Sequence, residues 1–243
     1  MIADLSKAII LYLAPLLALT SFLLNLFVFL APTVLFNDSV SLASVTPALL
    51  DLATNASVKA HGEIDGPSLY VGLLGSCARK TNKEVLFCTT PSFAAVYNTS
   101  VLPTSIPNFL TAPVSATPVF AILALLLFAV FLPLFTLSAL REKLPGKMNA
   151  LFSRPMLGSF VAWAGVLSWL ILAAVYLVMR MWLGRSVEDI NAQIVNLGKG
   201  APQLHAEISN GFTMIWVAQA FAAVPVVCSL MKLHMSNAPV GKV

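Results

Sequence analysis

The chain has 243 residues, of which 58% are hydrophobic and only 10% charged, and its mean hydropathy is +0.88. Soluble domains carry about 25% charged residues, so this composition excludes an ordinary water-soluble globular domain. The net charge of +4, from 14 Lys and Arg against 10 Asp and Glu, reads as an orientation signal and not as a nucleic-acid footprint.

The apolar residues fall into four long blocks with no 3.6- or 2.0-residue rhythm. The first, Ala8–Phe36, runs without a charge and exceeds the roughly 20 residues that cross a hydrocarbon core of about 30 Å, so it predicts a tilted or extended helix. It is also longer than the 7–15 apolar residues, approximately, of a secretory signal, so it is expected to be retained. The further spans are placed at about 119–140, 158–180 and 211–233, all helical because lipid offers no partner to a loose backbone amide. Together they predict a single membrane domain over 1–243, an all-α four-helix bundle.

Between the first two spans lies a polar segment, 37–118, that holds all three N-x-Ser/Thr sequons, at Asn37, Asn55 and Asn98. Such sequons matter only in lumenal or extracellular segments. Asn37 lies close to the membrane, so Asn55 and Asn98 are the better glycosylation candidates. The connector 141–157 carries Arg141, Lys143, Lys147 and Arg154 against Glu142 alone, and short basic loops stay cytoplasmic. Both signals place 37–118 and the shorter loop 181–210 outside, with the connector and both termini in the cytosol.

In that oxidising compartment Cys77 and Cys88 are the available pair, which predicts a disulfide. Ser68–Ala78 and Glu84–Thr90 are β-prone and flank a polar turn, so the sulfurs are expected to bridge a hairpin. The alternative is two unpaired buried thiols. His61, His205 and His234 show no zinc-like spacing, so neither a metal nor another cofactor is expected. Cys228, inside the fourth span, reads as a packed apolar side chain.

The order Gly72, Leu73, Cys77 and then Cys88, in a large first loop between four spans, resembles the claudin superfamily. That resemblance implies a small disulfide-stapled extracellular β-sheet standing on a left-handed four-helix bundle. Leu74 occupies the position where claudins carry Trp, which points away from strands that seal a paracellular space. The stretches SLYVGLLGSCARKTNKEVLFCTTPSFAAVYN and AEISNGFTMIWVAQAFAAVPVV are similar to the fungal Sur-seven/PalI branch, the second leading into a span bearing Trp216. The resemblance implies a plasma-membrane protein of cortical furrows (eisosomes) or a sensor feeding the ambient-pH pathway.

In the third span, small residues recur four apart at Gly158/Ala162 and Ala164/Ser168, and in the fourth at Ala218/Ala222. This spacing lets helices approach closely, within the bundle or against a lateral partner. Asn25 and Gln219 are the strongly polar side chains deep in the spans and are expected to bond between helices. No ionisable group lies there, which argues against a transporter or proton pump. Ser186-Val-Glu-Asp predicts the capped start of a separate helix in the second loop, with Val187, Ile190, Ile194 and Leu197 on one face.

No nucleophile–base arrangement and no phosphate-cradling glycine loop occurs, so the expectation is not an enzyme. The sequence predicts a non-catalytic organiser of lateral membrane domains, whose partners are membrane lipids and other membrane proteins or further copies of itself, and no nucleic acid. An auxiliary subunit of a larger channel, pump or cell-wall synthase is the alternative, and a small channel or transporter the second alternative.

Overall fold

A computed structural model describes residues 12–51, 56–58, 65–103, 115–140, 145, 155–197 and 203–237. Asn55, His61 and the basic residues of the connector (Arg141, Lys143, Lys147 and Arg154) lie outside them. The described helices are α1 (Ala14–Leu30), α2 (Ala116–Ala139), α3 (Pro155–Asn196) and α4 (Gly211–Asn237). By length and composition α2, α3 and α4 are each long and apolar enough to cross a membrane, and α1 contributes a shorter apolar helix of 17 residues. The chain is a multi-pass membrane protein.

The residues fall into two compact units. One is drawn from Met1–Leu26, Phe120–Ala174 and Trp216–Val243, the other from Phe27–Val119 and Val175–Ile215.

The first unit is a helical bundle. Its helices are apolar on every side, and lipid and protein divide those sides between them. On α2, Leu123, Leu126 and Val130 are exposed at spacings of three and four, as are Phe160, Trp163, Leu167 and Leu170 on α3. These rows form the lipid-facing surface that composition demands. On the other side of α2, Phe128, Phe131 and Phe135 are buried in a column with centroids 5.6 and 5.3 Å apart, and Phe22 of α1 stacks on Phe128 at 6.3 Å. Ala14, Val161, Ala222 and Val226 complete this core, and Cys228 packs against it as a free thiol.

The column needs room on α3, and Gly165 provides it. A Cβ there would come within 2.7 Å of the Phe131 ring. Of the small residues singled out in the sequence, Ala162, Ala164, Ser168, Ala218 and Ala222 are all buried. Gly158 is exposed, with nothing within 4 Å of where its Cβ would stand.

The expected interhelical bonds from Asn25 and Gln219 do not form. Asn25 Nδ2 donates to the Ser21 carbonyl at 2.9 Å, one turn back on its own helix. The tie between α3 and α4 comes instead from the Trp169 indole, which donates to the backbone carbonyl of Gln219 at 3.0 Å. A carbonyl has two lone pairs, so it can accept from outside its helix without losing its own bond.

The second unit is built on a five-stranded antiparallel sheet in the order β6-β5-β4-β1-β7. Its strands are β1 (Ala43–Pro47), β4 (Ser68–Val71), β5 (Ser76–Arg79), β6 (Phe87–Cys88) and β7 (Leu204–Ile208), while β2 (Leu49–Asp51) and β3 (Ala56–Val58) pair separately. Strand β1, between β4 and the edge strand β7, aligns Val45 with Leu69 of β4 and with Ala206 of β7, so segments far apart in sequence close one sheet.

The second loop departs from expectation. Ser186 caps no new helix: α3 runs unbroken over 42 residues, and the Ser186 hydroxyl bonds back to the Trp182 carbonyl at 3.2 Å. At ~1.5 Å per residue α3 is about 60 Å long, roughly twice the thickness of a hydrocarbon core. No proline interrupts the segment, and Leu183, Val187, Ile190 and Ile194 are buried along one side, which favours continuation over a stop. Leu197 lies one residue past the helix end and is half-buried.

Candidate functional site

The segment from Ser68 to Val101 carries the motif residues, and its local geometry explains most of them. Ser68–Ala78, expected as one strand, is two. The Gly72–Gly75 turn divides it, closed by the Gly72 amide donating to the Gly75 carbonyl at 2.9 Å. Strand β4 then pairs with β5 through Tyr70 opposite Cys77, and β5 pairs with β6 through Cys77 opposite Cys88. The cysteines are direct cross-strand partners, and their sulfurs are joined.

Gly72 is required by what lies beneath it. A Cβ at this position would collide with the carbonyl oxygen of Ala31 and the ring of Pro32, just past the end of α1. The Ala31–Pro32 peptide is cis. The turn therefore sits backbone-to-backbone on the chain leaving the first helix, and only a residue without a side chain permits that approach. Leu73 and Leu74 are both buried beside it. Cys77 is fully buried as well, with Sγ 3.4 Å from the Pro32 carbonyl oxygen; a bonded sulfur has no proton to donate, so this is a packing contact. Glycine, leucine and the first cysteine thus share one seat at the end of α1.

The following loop straps this seat down. The Thr89 amide donates to the Ser76 carbonyl at 2.9 Å, and the Ser76 amide returns a bond to Thr89 Oγ1 at 3.0 Å. The Ser92 amide donates to the Leu74 carbonyl at 3.0 Å. Tyr97 is buried, with its hydroxyl donating to the Gly72 carbonyl at 3.0 Å. Burial pushes this phenol above its ordinary pKa, so it stays protonated and keeps donating. The Asn98 amide then bonds Ser76 Oγ at 2.8 Å.

The far edge of the sheet is also closed. Asn191 on α3 accepts from the Ala206 amide at 3.0 Å and donates to the Ala206 carbonyl at 2.8 Å, as a neighbouring strand would. An unpaired strand edge is a template for unwanted pairing, and one side chain here occupies it. Asn210 Nδ2 donates to the Ser39 carbonyl at 2.7 Å, and the Gly211 amide to the Ser41 carbonyl at 2.9 Å, which tie the start of α4 to the residues before β1.

The sequence reading missed Asn191, β1 and β7. A signal for β7 was present, since Leu204, Ala206 and Ile208 alternate with His205 and Glu207. Asn191 carried none, because its partner lies in another element. The sequons divide: Asn37 is exposed beyond α1, Asn98 opens the short 3-10 turn Thr99–Val101, and Asn55 is outside the described residues.

Among the described residues no group of three or more His, Cys, Asp or Glu is placed to hold a metal ion. What the site presents is a rigid sheet with one edge sealed, while its opposite edge at β6 carries the exposed Val85 and Phe87 beside it. No family model matches the chain, and no curated protein does.

Proposed function

We propose that this protein is a non-catalytic organiser of lateral domains in the plasma membrane, a claudin-like chain of the Sur-seven/PalI kind. In this reading 37–118 and 181–210 face outward and both termini lie in the cytosol. The observation that carries it is the docking of the Gly72 turn on Ala31–Pro32 beneath a cross-strand disulfide. That geometry gives each residue of the Gly72, Leu73, Cys77 and Cys88 motif a structural task, and the tasks add up to a stiff platform fixed to the end of a membrane helix. A stiff platform suits a protein that works by contact.

The organiser reading also accords with spans that carry no ionisable pathway and with the absence, among the described residues, of a metal-holding cluster. Gly158 supplies an open small-residue surface on α3 for a neighbouring helix, whereas the remaining small residues are consumed inside the bundle.

Fluorescent tagging with photobleaching in the native cell tests the proposal. Stable patches with slow recovery are expected. A uniform, freely diffusing signal contradicts it, and stoichiometric co-purification with one large membrane enzyme moves the assignment to an auxiliary subunit.

A further inference from the structure

The second unit carries a cavity of about 490 Å3 against the β5–β6 edge, within the roughly 300–1,000 Å3 of small-molecule sites. Two of its walls are apolar and strongly exposed: Val85 at 77% and Phe87 at 67%. Exposed aromatic surface of this kind asks for a cover. Asn98 and Ser100, the first and last residues of a sequon, line the same cavity.

We propose that the occupant is the proximal sugar of an N-linked glycan carried by Asn98, packed on Phe87. This rests on the outward placement of the loop given above. Asn98 is set up for it. Its Oδ1 accepts from the Ser100 amide at 3.3 Å and from Ser100 Oγ at 2.5 Å, which fixes the amide plane. Its backbone is held by the bond from its own amide to Ser76 Oγ, and Nδ2 is left as the end free for attachment. Attachment replaces one Nδ2–H bond with a bond to C1 of N-acetylglucosamine. The C1–O bond to a lipid-diphosphate-linked donor breaks, the diphosphate leaves with that electron pair, and the displaced proton passes to solvent.

The lining is polar as well as apolar: Arg79 and Lys80 bring two positive charges against one negative charge from Glu84, and a sugar with hydroxyl and acetamide groups uses donors and acceptors of both kinds. The C–H face of the pyranose covers the Phe87 ring, an apolar surface paired with a polar rim. The cavity is thereby filled from within the chain, and the exposed edge beside β6 is shielded from pairing.

The test is expression of the full chain in a eukaryotic cell, with site occupancy read by mass spectrometry. The rate at which peptide-N-glycosidase removes the Asn98 glycan from native protein is then measured. Asn98 is expected to be occupied, and Phe87→Ala is expected to raise the native release rate about tenfold, the size of coupling seen between groups in contact. Release from denatured protein is expected to stay unchanged. Val85→Ser, at the more exposed position, serves as a second variant with the same expected direction. External protease digestion of intact cells reports the side of the loop independently. An unoccupied Asn98 in a loop that protease cleaves overturns the glycan site while leaving the topology standing. A release rate unaffected by both variants overturns the packing. A loop protected from protease, with no sequon occupied, overturns the topology and this inference with it.

Discussion

Replacing both Cys77 and Cys88 by alanine removes the staple without leaving an odd thiol, and its cost follows from the loop it closes. The two residues are 11 apart, so the cross-link removes about 9 cal/mol/K of chain entropy from the opened state, or about 2.8 kcal/mol at 25 °C. The cysteines are direct partners on β5 and β6, so the loss falls on this sheet and not on the bundle. Native-state hydrogen exchange reads it by region. At about 1.4 kcal/mol per decade, protection of the amides in β4 and β5 is expected to fall about a hundredfold, while the amides of Phe120–Ala139 in α2 change by less than about threefold. A loss below threefold in the sheet would refute the reasoning, because backbone docking and the Thr89–Tyr97 strap would then suffice without the cross-link. An equal loss in α2 would refute it too, since the staple would then be holding the bundle.

Gly72→Ala drives a methyl group into the Ala31 carbonyl and the Pro32 ring, and is expected to destabilise the sheet by about 3 kcal/mol, the upper range for overpacking. Gly66→Ala, whose Cβ meets only the Pro47 side chain at 3.0 Å, is expected to cost clearly less in the same thermal unfolding assay. Tyr97→Phe removes the bond to the Gly72 carbonyl and is expected to cost about 1 kcal/mol. The unfolded phenol ionises near pH 10, approximately, while the buried one holds its proton to higher pH. Stability of the wild-type sheet therefore declines as pH rises above about 10, is unaffected by this group below it, and loses that decline in Tyr97→Phe. Asn191→Ala unseals β7 and is expected to lower exchange protection over Leu204–Ile208 by about 1–3 kcal/mol, seen as faster exchange of the Ala206 amide. Gly165→Val is expected to disrupt the Phe131 packing and lower the unfolding temperature, whereas Gly158→Val leaves folding intact and weakens lateral clustering in the membrane.

The membrane-spanning blocks were legible because lipid enforces composition: a run such as the one in α2 admits little else. Cys77 and Cys88 were legible as a pair because they are the two cysteines outside the apolar blocks, and the β-prone stretches around them suggested a bridged hairpin. Harder to read was anything decided between distant segments. The partner of Gly72 is Ala31–Pro32, some forty positions earlier, and nothing local marks that contact. Strand β1 shows weak alternation and exists because β4 and β7 flank it. Ser186 looked like a cap because Ser-x-x-Asp is a sound local signal, but buried Leu183, Val187 and Ile190 on the same helix face outweighed it. Asn25 and Gln219 were read by their side-chain chemistry, whereas the bond between α3 and α4 was made by a main-chain carbonyl.

The proposed function requires the sheet to lie outside the cell with its two sulfurs joined, and labelling of intact cells with a membrane-impermeant maleimide measures both at once. Peptides containing Cys77 and Cys88 are expected to be unlabelled at first and to gain two labels after treatment with an impermeant reductant. Labelling of either residue without reductant, or no labelling after it while permeabilised cells label readily, would contradict the account.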